Sequence, residues 1–297
     1  MTARRRLVKV PASSANLGPG YDVLAAALAL ELELEVAEAE RFSVDAAELS
    51  GDLPADRSNL CVRAFERLHP ADGLRFEVRT EIPLARGLGS SAAAIVAGLV
   101  AADHLFELGL ERDAIYRHAV ELEGHPDNVA AAVYGGFVLC PGSDGSGELP
   151  APIRLEPPEG VEAVLVIPED TVPTAEARTA LPAAIPVTDA VANVAAATQL
   201  VLGLERSDLA LIGRGLADRL HQPARRGLYE RSMELLGRAR DLGALGATIS
   251  GAGPSVMLWC FWQDTGKVVE AATAATSGWA EVRRVPFSPL GADVPEL

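Results

Sequence analysis

The sequence predicts an α+β fold divided into two domains or lobes. The chain has 297 residues, enough to bury a large core. Apolar and polar residues alternate with the period of a strand over 28–36 and again over 74–82. Residues 82–94 then read as a strand, a glycine loop and the start of a helix. In the second half, candidate strands and helices are interspersed in an order typical of α+β folds.

The first half predicts five strand segments, one of them a hairpin extension, and four helices. Alternation marks the strands, and Ser58 and Asn59 are residue types that cap the start of a helix. In order, we expect strands at 5–10 and 28–36, a hairpin extension at 42–44, a helix from 59 to about 68, a strand at 74–82, helices at 90–108, 111–123 and 128–134, and a turn and strand at 135–140.

A segment rich in Gly, Pro and Ser, residues 141–152, predicts a linker or exposed loop. We therefore place a domain boundary near residue 150, within about ten residues, which gives domains 1–150 and 151–297. After it we expect strands at 163–167, 248–250, 256–262 and 281–285, and helices at 188–203, 207–219, 228–242 and about 264–276.

The glycine loop is the strongest functional signal. Gly87 and Gly89 let the backbone approach a ligand, and the helix that follows offers unpaired N–H groups that favour an anion. The hydroxyls of Ser90 and Ser91 could bind phosphate oxygens or Mg²⁺. The loop lacks the Lys of a P-loop and the third glycine of the dinucleotide fingerprint. The structural alternative is a serine-capped turn.

Two further segments support the phosphate interpretation. The first is VPASSANLGPGYD at 10–22, and the other is ISGAGPSV at 249–256. Together with PLARGLGSSAAA at 83–94, they resemble the three motifs of the GHMP kinases, in order and spacing and over most of the chain. Within that family, ELEGHPDNVA at 121–130 and the form of the first motif are most similar to the members that act on homoserine.

The resemblance implies an N-terminal domain like part of ribosomal protein S5 and a C-terminal domain with a ferredoxin-like core. It places the active site in the cleft between them. It also implies phosphorylation of the side-chain hydroxyl of L-homoserine by ATP with Mg²⁺, in threonine biosynthesis, and an enzyme that could be a homodimer.

The nucleotide and metal residues follow from the same resemblance. Ser91 is the expected metal ligand from the loop, with Ser90 as second choice, and Glu123 is the expected carboxylate, with Glu121 as its rival. Asn59 resembles an adenine-contacting residue, although a helix cap is nearly as good an interpretation. The expected nucleotide contacts are Asn59, Pro83, Arg86, Gly87, Leu88, Gly89, Ser90, Ser91, Ala92, Gly251 and Gly253.

The substrate residues are expected to match a charged amino acid. Arg178 and Arg225 are candidates for its carboxylate, with Arg226 as the alternate, because a planar guanidinium can bind a carboxylate twice. Asp22 and Asn16 can accept from its ammonium group. His125 and Asn128 could contact the substrate or the transferring phosphoryl group, and Asp127 could instead cap a helix.

No side chain stands out as a general base. The resemblance implies that the hydroxyl proton passes toward the γ-phosphate, because Asp22 is committed to the ammonium group. The predicted catalytic set is Asn16, Asp22, His125, Asn128 and Arg178.

Composition limits the alternatives. A net charge of −15 disfavours a nucleic-acid partner. No uninterrupted apolar run reaches the roughly 18 residues of a membrane span. Thr2–Arg6 is basic without a following apolar run, and the three cysteines are widely spaced, so we expect a cytoplasmic protein. The remaining rivals are a GHMP kinase for another small alcohol and a non-catalytic small-molecule sensor.

Overall fold

A computed structural model of the chain describes residues 4–46, 53–142 and 149–296. In the first half of these ranges the elements are β1 (Arg5–Ala15), β2 (Leu24–Glu38), β3 (Ser43–Asp45), α1 (Leu60–Glu66), β4 (Leu74–Thr80), α2 (Ser90–Phe106), α3 (Arg112–Glu123), α4 (Asp127–Tyr134), β5 (Phe137–Leu139) and β6 (Ile153–Leu155).

The second half begins with a strand and continues through four α-helices and a 3₁₀ helix before the next strand. Its elements are β7 (Val161–Pro168), α5 (Thr174–Thr179), α6 (Val187–Arg206), α7 (Leu209–Gly215), a 3₁₀ helix (Pro223–Leu228), α8 (Glu230–Gly237), β8 (Gly246–Ile249), β9 (Val256–Phe261), α9 (Thr265–Thr276) and β10 (Ala280–Val285).

The first sheet has the order β3-β4-β2-β5-β6, and β1 also pairs with β2. The long strand β2 buries Leu30, Leu32 and Leu34 while the intervening glutamates face outward, as its alternating sequence predicts. Helices α2 and α4 lie on the sheet. Since α2 is rich in alanine and almost wholly buried, it can approach β1 and β2 closely.

The second sheet has the order β10-β7-β9-β8 and is antiparallel throughout, which is the ferredoxin-like arrangement. Alternate residues of β7 pack into two different hydrophobic cores, one on each face of the sheet. Val164 and Val166 pack with α8 and α9, whereas Ala163, Leu165 and Ile167 belong to the core shared with the first sheet. This sheet therefore lies between its own helices and the first lobe, and the predicted α+β architecture is confirmed.

The structure corrects several predicted elements. Strand β3 pairs in parallel with β4 rather than extending a hairpin. The reason is that β2 is already paired with β1, β4 and β5 and has no free edge. By contrast, the helices predicted at 111–123 and 128–134 are present as the separate elements α3 and α4, because Gly124 ends α3 in the left-handed region, with φ of 87°. Neither α5 nor β6 was expected from the sequence.

The chain leaves the first sheet at Leu155, the last residue of β6, and enters the second sheet at Val161, the first residue of β7. The chain later returns to the first sheet, where Phe287 bridges Leu28 and Asp293 bridges Lys9. The boundary near residue 150 stays a prediction. Half of the predicted linker, residues 143–148, lies outside the described residues.

Helix α6 differs from the expectation about membrane spans. Within the described ranges it is the one helix that is long and apolar enough, by length and composition alone, to cross a membrane. Most of its polar residues are uncharged, so its mean hydropathy stays high. One such helix is weak evidence, since core helices pass the same test. Asn193, on its inner face, donates a hydrogen bond to the Asp218 carboxylate, which ties α6 to the rest of the second lobe.

Candidate active site

The three sequence motifs meet around one cavity of about 300 Å³. Its walls come from the end of β1, the glycine loop and start of α2, the α3–α4 turn, α5, the 3₁₀ helix and the turn after β8. Among the residues that line it are Asn16, Asp22, Gly87, Leu88, Gly89, Ser90, Ser91, Glu123, His125, Asn128, Arg178, Arg225 and Gly251. The topology thus brings most of the predicted site residues together.

The glycine loop requires glycine at two positions. Gly87 has φ of 74°, and a Cβ there would lie 2.1 Å from the carbonyl oxygen of Ser250; Gly89 has φ of 70°, and its Cβ would lie 2.0 Å from the Ser13 Oγ. Ser250 Oγ donates to the Gly87 carbonyl over 2.6 Å. Gly89 caps α2 without any side-chain hydrogen bond to the first N–H groups, so these remain available to an anion at the cavity wall.

Ser91 and Glu123 form a pair at the start of α2. Ser91 Oγ donates to Glu123 Oε1 over 2.5 Å. Burial raises the pKa of the Glu123 carboxyl, against the opposing effect of the Ser91 hydrogen bond. Glu121 instead forms a salt bridge with Arg67 at 2.7 Å, and its side chain is 59% exposed. A hydroxyl and a buried carboxylate side by side are the hard oxygen ligands that suit Mg²⁺.

The turn between α3 and α4 presents a histidine to the cavity. His125 Nδ1 lies 3.6 Å from Asp127 Oδ1, and both side chains are largely buried. The nearby Asp127 carboxylate raises the pKa of His125, so the imidazolium persists to higher pH than usual. Asn128 accepts a hydrogen bond from Ser13 Oγ over 2.8 Å. Helix α4 begins at Asp127, which lines the cavity rather than serving only as a cap.

Asp22 and Arg178 pair with each other across the cavity. Arg178 Nη1 and Nη2 donate to the two Asp22 carboxylate oxygens over 3.0 and 2.8 Å, and Nη1 also donates to the Tyr21 hydroxyl. Asn16 holds this arrangement in place, because its Oδ1 accepts from the Asp22 backbone N–H and its Nδ2 donates to the Gly251 carbonyl. Asn16 thus connects the first motif to the third.

Arg225 is buried, with 2% of its surface exposed, while its neighbour Arg226 is exposed and does not line the cavity. Its guanidinium donates to the carbonyl oxygens of Ala177 and Gly251 over 2.9 and 3.1 Å. Throughout the described ranges no carboxylate forms a salt bridge with it. A buried cation of this kind is costly unless an anion is available to it, so the geometry favours Arg225 as an anion ligand.

Some predicted nucleotide residues lie elsewhere. Asn59 caps α1 by accepting from the Cys61 N–H over 2.9 Å, Ala92 is buried within α2, and Gly253 does not line the cavity. Pro83 and Arg86 line a second cavity that adjoins the first at Ala85. Arg86 is engaged by backbone, since its guanidinium donates to the carbonyls of Leu84, Pro168 and Glu169.

The structure adds three residues to the predicted set. Tyr21 lies under two arginines of the cavity, with the guanidinium carbons of Arg178 and Arg225 at 5.7 and 5.4 Å from its ring centroid. Thr174, at the start of α5, and Asp127 also line the cavity. Tyr21 and Asp127 stand beside the predicted residues Asp22 and Asn128, so their position in the motifs is the signal that could have found them; Thr174 lies four residues before Arg178, one helical turn away on α5.

Comparison with known proteins agrees with this arrangement. Residues 59–136 match the GHMP kinases N terminal domain and residues 200–281 match the GHMP kinases C terminal domain. A homoserine kinase of Synechococcus sp. (strain CC9902) is 42% identical over 91% of this chain and 88% of its own, and one of Prochlorococcus marinus (strain NATL1A) is 38% identical over 96% and 92%. The crystal structure of homoserine kinase from Cytophaga hutchinsonii ATCC 33406 superposes with a TM-score of 0.87 at 32% identity, covering 99% of this chain and 98% of that one.

Proposed function

The chain belongs to the homoserine kinases of the GHMP kinase family, and from this premise we propose that the cavity described above is where ATP meets L-homoserine. The enzyme transfers the γ-phosphoryl group of ATP to the side-chain hydroxyl of L-homoserine. The products are ADP and O-phospho-L-homoserine, a precursor in threonine biosynthesis. We propose that the active site lies between the lobes 1–150 and 151–297.

The observation that carries the site assignment is the charge pattern of the cavity wall. Asp22 and Arg178 face each other as a pair, and Arg225 is buried beside them without a counterion in the described parts of the chain. An amino acid zwitterion matches this pattern. Its carboxylate can bind Arg225 and Arg178, and its ammonium group can take over the Asp22 carboxylate that Arg178 gives up.

At the other wall, the backbone N–H groups of the glycine loop and the start of α2 are suited to the ATP phosphates. The adjoining oxygens of Ser91 and Glu123 would hold Mg²⁺, which supplies charge neutralisation for the phosphates when it is bound. The imidazolium of His125 and the amide of Asn128 also line the cavity, where they could contact the reacting groups.

We propose that transfer proceeds without a protein general base. Phosphoryl transfer depends mainly on positioning and charge neutralisation, and the hydroxyl proton can pass to the phosphoryl group as the O–P bond forms. The pairing of Asp22 with the Arg178 cation supports this, because Asp22 lies where it accepts from a cation, and the substrate ammonium group would take that place.

Asp22→Asn is expected to raise the KM for homoserine more than it lowers kcat, because it removes the charge that receives the ammonium group. Steady-state kinetics with homoserine and ATP varied in turn would measure both. A large loss of kcat at an unchanged homoserine KM would instead make Asp22 the base.

The zwitterion requirement gives a direct test of the proposed function. In an ADP-release assay with Mg²⁺-ATP, L-homoserine is expected to react. 4-Hydroxybutyrate and 3-aminopropanol, which each lack one of the two charges, are expected to lose about 100-fold or more in kcat/KM because one buried charge stays unpaired. Mevalonate, galactose and L-threonine complete the panel. Preference for an uncharged alcohol would contradict the substrate assignment, and silence with every acceptor in folded, ATP-binding protein would favour a sensor.

We propose that the enzyme acts in the cytoplasm on these small molecules, without nucleic acid or membrane, and forms a homodimer. The homodimer is supported by the outward face of α6, where Val187, Val191 and Val194 are 78%, 62% and 67% exposed and Leu202 continues the stripe. The stripe is roughly symmetric about Val194, so an antiparallel copy would present matching positions to it.

Val191→Asp combined with Val194→Asp is expected to convert the dimer to a monomer in sedimentation analysis. Thr188→Asp, at an exposed position on the same helix, serves as the charge control. A wild-type chain that is monomeric at micromolar concentration would contradict the proposal.

A further inference from the structure

His221 lies next to Arg225 and takes no part in the proposed reaction itself. His221 is completely buried, and its two ring nitrogens contact groups of fixed hydrogen-bonding character. Arg225 Nη1 lies 3.2 Å from His221 Nδ1, and the Gly18 carbonyl oxygen lies 2.8 Å from Nε2. A guanidinium can only donate and a carbonyl can only accept. His221 must therefore be neutral, with its proton on Nε2.

These contacts join three parts of the site through Arg225. The guanidinium is held by Ala177 of α5, by Gly251 of the third motif and by His221, which is itself bound to Gly18 of the first motif. In the described ranges Arg225 Nη2 is left without a hydrogen bond, and Arg225 lines the cavity. The buried contacts thus fix the direction in which the remaining N–H groups can face a ligand.

We propose that His221 is a positioning residue for Arg225: its neutral imidazole aims the guanidinium at the substrate carboxylate, and protonation of His221 withdraws the guanidinium and weakens binding of the amino acid. The inference rests on the proposed function of Arg225 as a carboxylate ligand and extends it to pH. A proton on Nδ1 would face the N–H of Arg225 Nη1, so a hydrogen bond would become a contact between two donors and two cations.

The groups around His221 support this direction. Asp218 and Asp22 favour the imidazolium, whereas burial and the Arg225 cation oppose it, and the Tyr21 ring covers the imidazole at 5.4 Å. Asp218 is already satisfied by the backbone N–H groups of residues 220–222 and by Asn193. Burial is the largest effect and lowers the pKa of His221 below its usual 6.5. Neutral His221 is therefore the stable form at any pH above its lowered pKa, and its contacts with Arg225 and Gly18 are lost as the pH falls through that pKa.

Two variants test the proposal. His221→Gln keeps an acceptor and a donor but cannot titrate, and His221→Leu keeps neither. His221→Leu is expected to lower kcat/KM for homoserine about tenfold or more, with a smaller change in the KM for ATP. His221→Gln is expected to retain most of the activity that His221→Leu loses. A loss of folded protein alone would lower kcat and leave both KM values unchanged, which would overturn the proposal.

The pH profile adds a readout that a merely structural residue would not affect. As the pH falls from about 8 to the lowest value at which both proteins stay folded, the homoserine KM of the wild type is expected to rise several-fold more than that of His221→Gln, because only the wild type passes through the lowered pKa of His221. Both proteins use ATP and contain His125, so titration of these groups affects both KM values equally. The ratio of the wild-type homoserine KM to that of His221→Gln at each pH therefore reports on His221 alone. His104→Gln, an exposed histidine, should keep the wild-type profile. Identical profiles for wild type and His221→Gln would overturn the inference.

A double-mutant cycle completes the test. In an Arg225→Met background, His221→Leu is expected to cause little further loss with homoserine, because the group that it positions is gone. The full loss reappearing in that background would overturn the inference while leaving the proposed function intact. A wild type that fails to phosphorylate homoserine at about pH 8 would overturn both.

Discussion

Arg225→Met is expected to lower kcat/KM for homoserine by about 100-fold or more, mainly through KM. Removing one member of a buried, hydrogen-bonded charge pair costs about 2–5 kcal/mol, because the partner charge then stays buried without a counterpart. Here the partner is the substrate carboxylate. The KM for ATP is expected to change much less, since the ATP phosphates are proposed to bind the backbone N–H groups of the glycine loop rather than Arg225.

Arg226→Met is the matched control. Arg226 is the next residue, is exposed and does not line the cavity, so its removal is expected to leave homoserine kinetics nearly unchanged. Arg225→Met also leaves the carbonyls of Ala177 and Gly251 without a donor, so thermal unfolding of both variants must be measured. Equal effects of the two substitutions on homoserine KM would show that the wrong arginine has been assigned.

Glu123→Gln is expected to reduce kcat by about 100-fold or more. The carboxylate lies beside the Ser91 hydroxyl at the start of α2, and the amide that replaces it is a weaker ligand for Mg²⁺ and carries no charge. The Mg²⁺ concentration that gives half-maximal rate is expected to rise together with the loss of kcat. Because burial already raises the pKa of the Glu123 carboxyl, the neutral amide is expected to fit without unfolding the protein.

Glu121→Gln is the control for this substitution. Glu121 is two residues away on the same helix, but its side chain faces solvent and pairs with Arg67, so losing its charge is expected to cost less than twofold in kcat. Kinetics of the two variants across a Mg²⁺ titration would decide between them. A larger loss for Glu121→Gln, or an unchanged Mg²⁺ dependence for Glu123→Gln, would contradict the metal assignment.

Local patterns predicted much of the fold. The strand around 28–36 was predictable because period-2 alternation directly records which face is buried, and β2 shows that pattern. Asn59 was predictable as a cap because capping depends only on the next few residues. The pairing of β3 was not predictable, since its partner depends on which sheet edges other strands have already occupied. The six residues of α5 are too few to show a helical period.

The same division applies to the site. By itself the sequence determined the three motifs, the glycine loop among them, and hence the family and the reaction, because these depend on residue type and order along the chain. Only the tertiary structure separated Glu123 from Glu121 and Arg225 from Arg226. It also showed that Arg178 donates to Asp22, that Arg86 donates to backbone carbonyls and that His221 contacts Arg225. Neighbouring side chains on a helix point in different directions, and which one faces the cavity is decided by the elements that pack against it from distant parts of the chain.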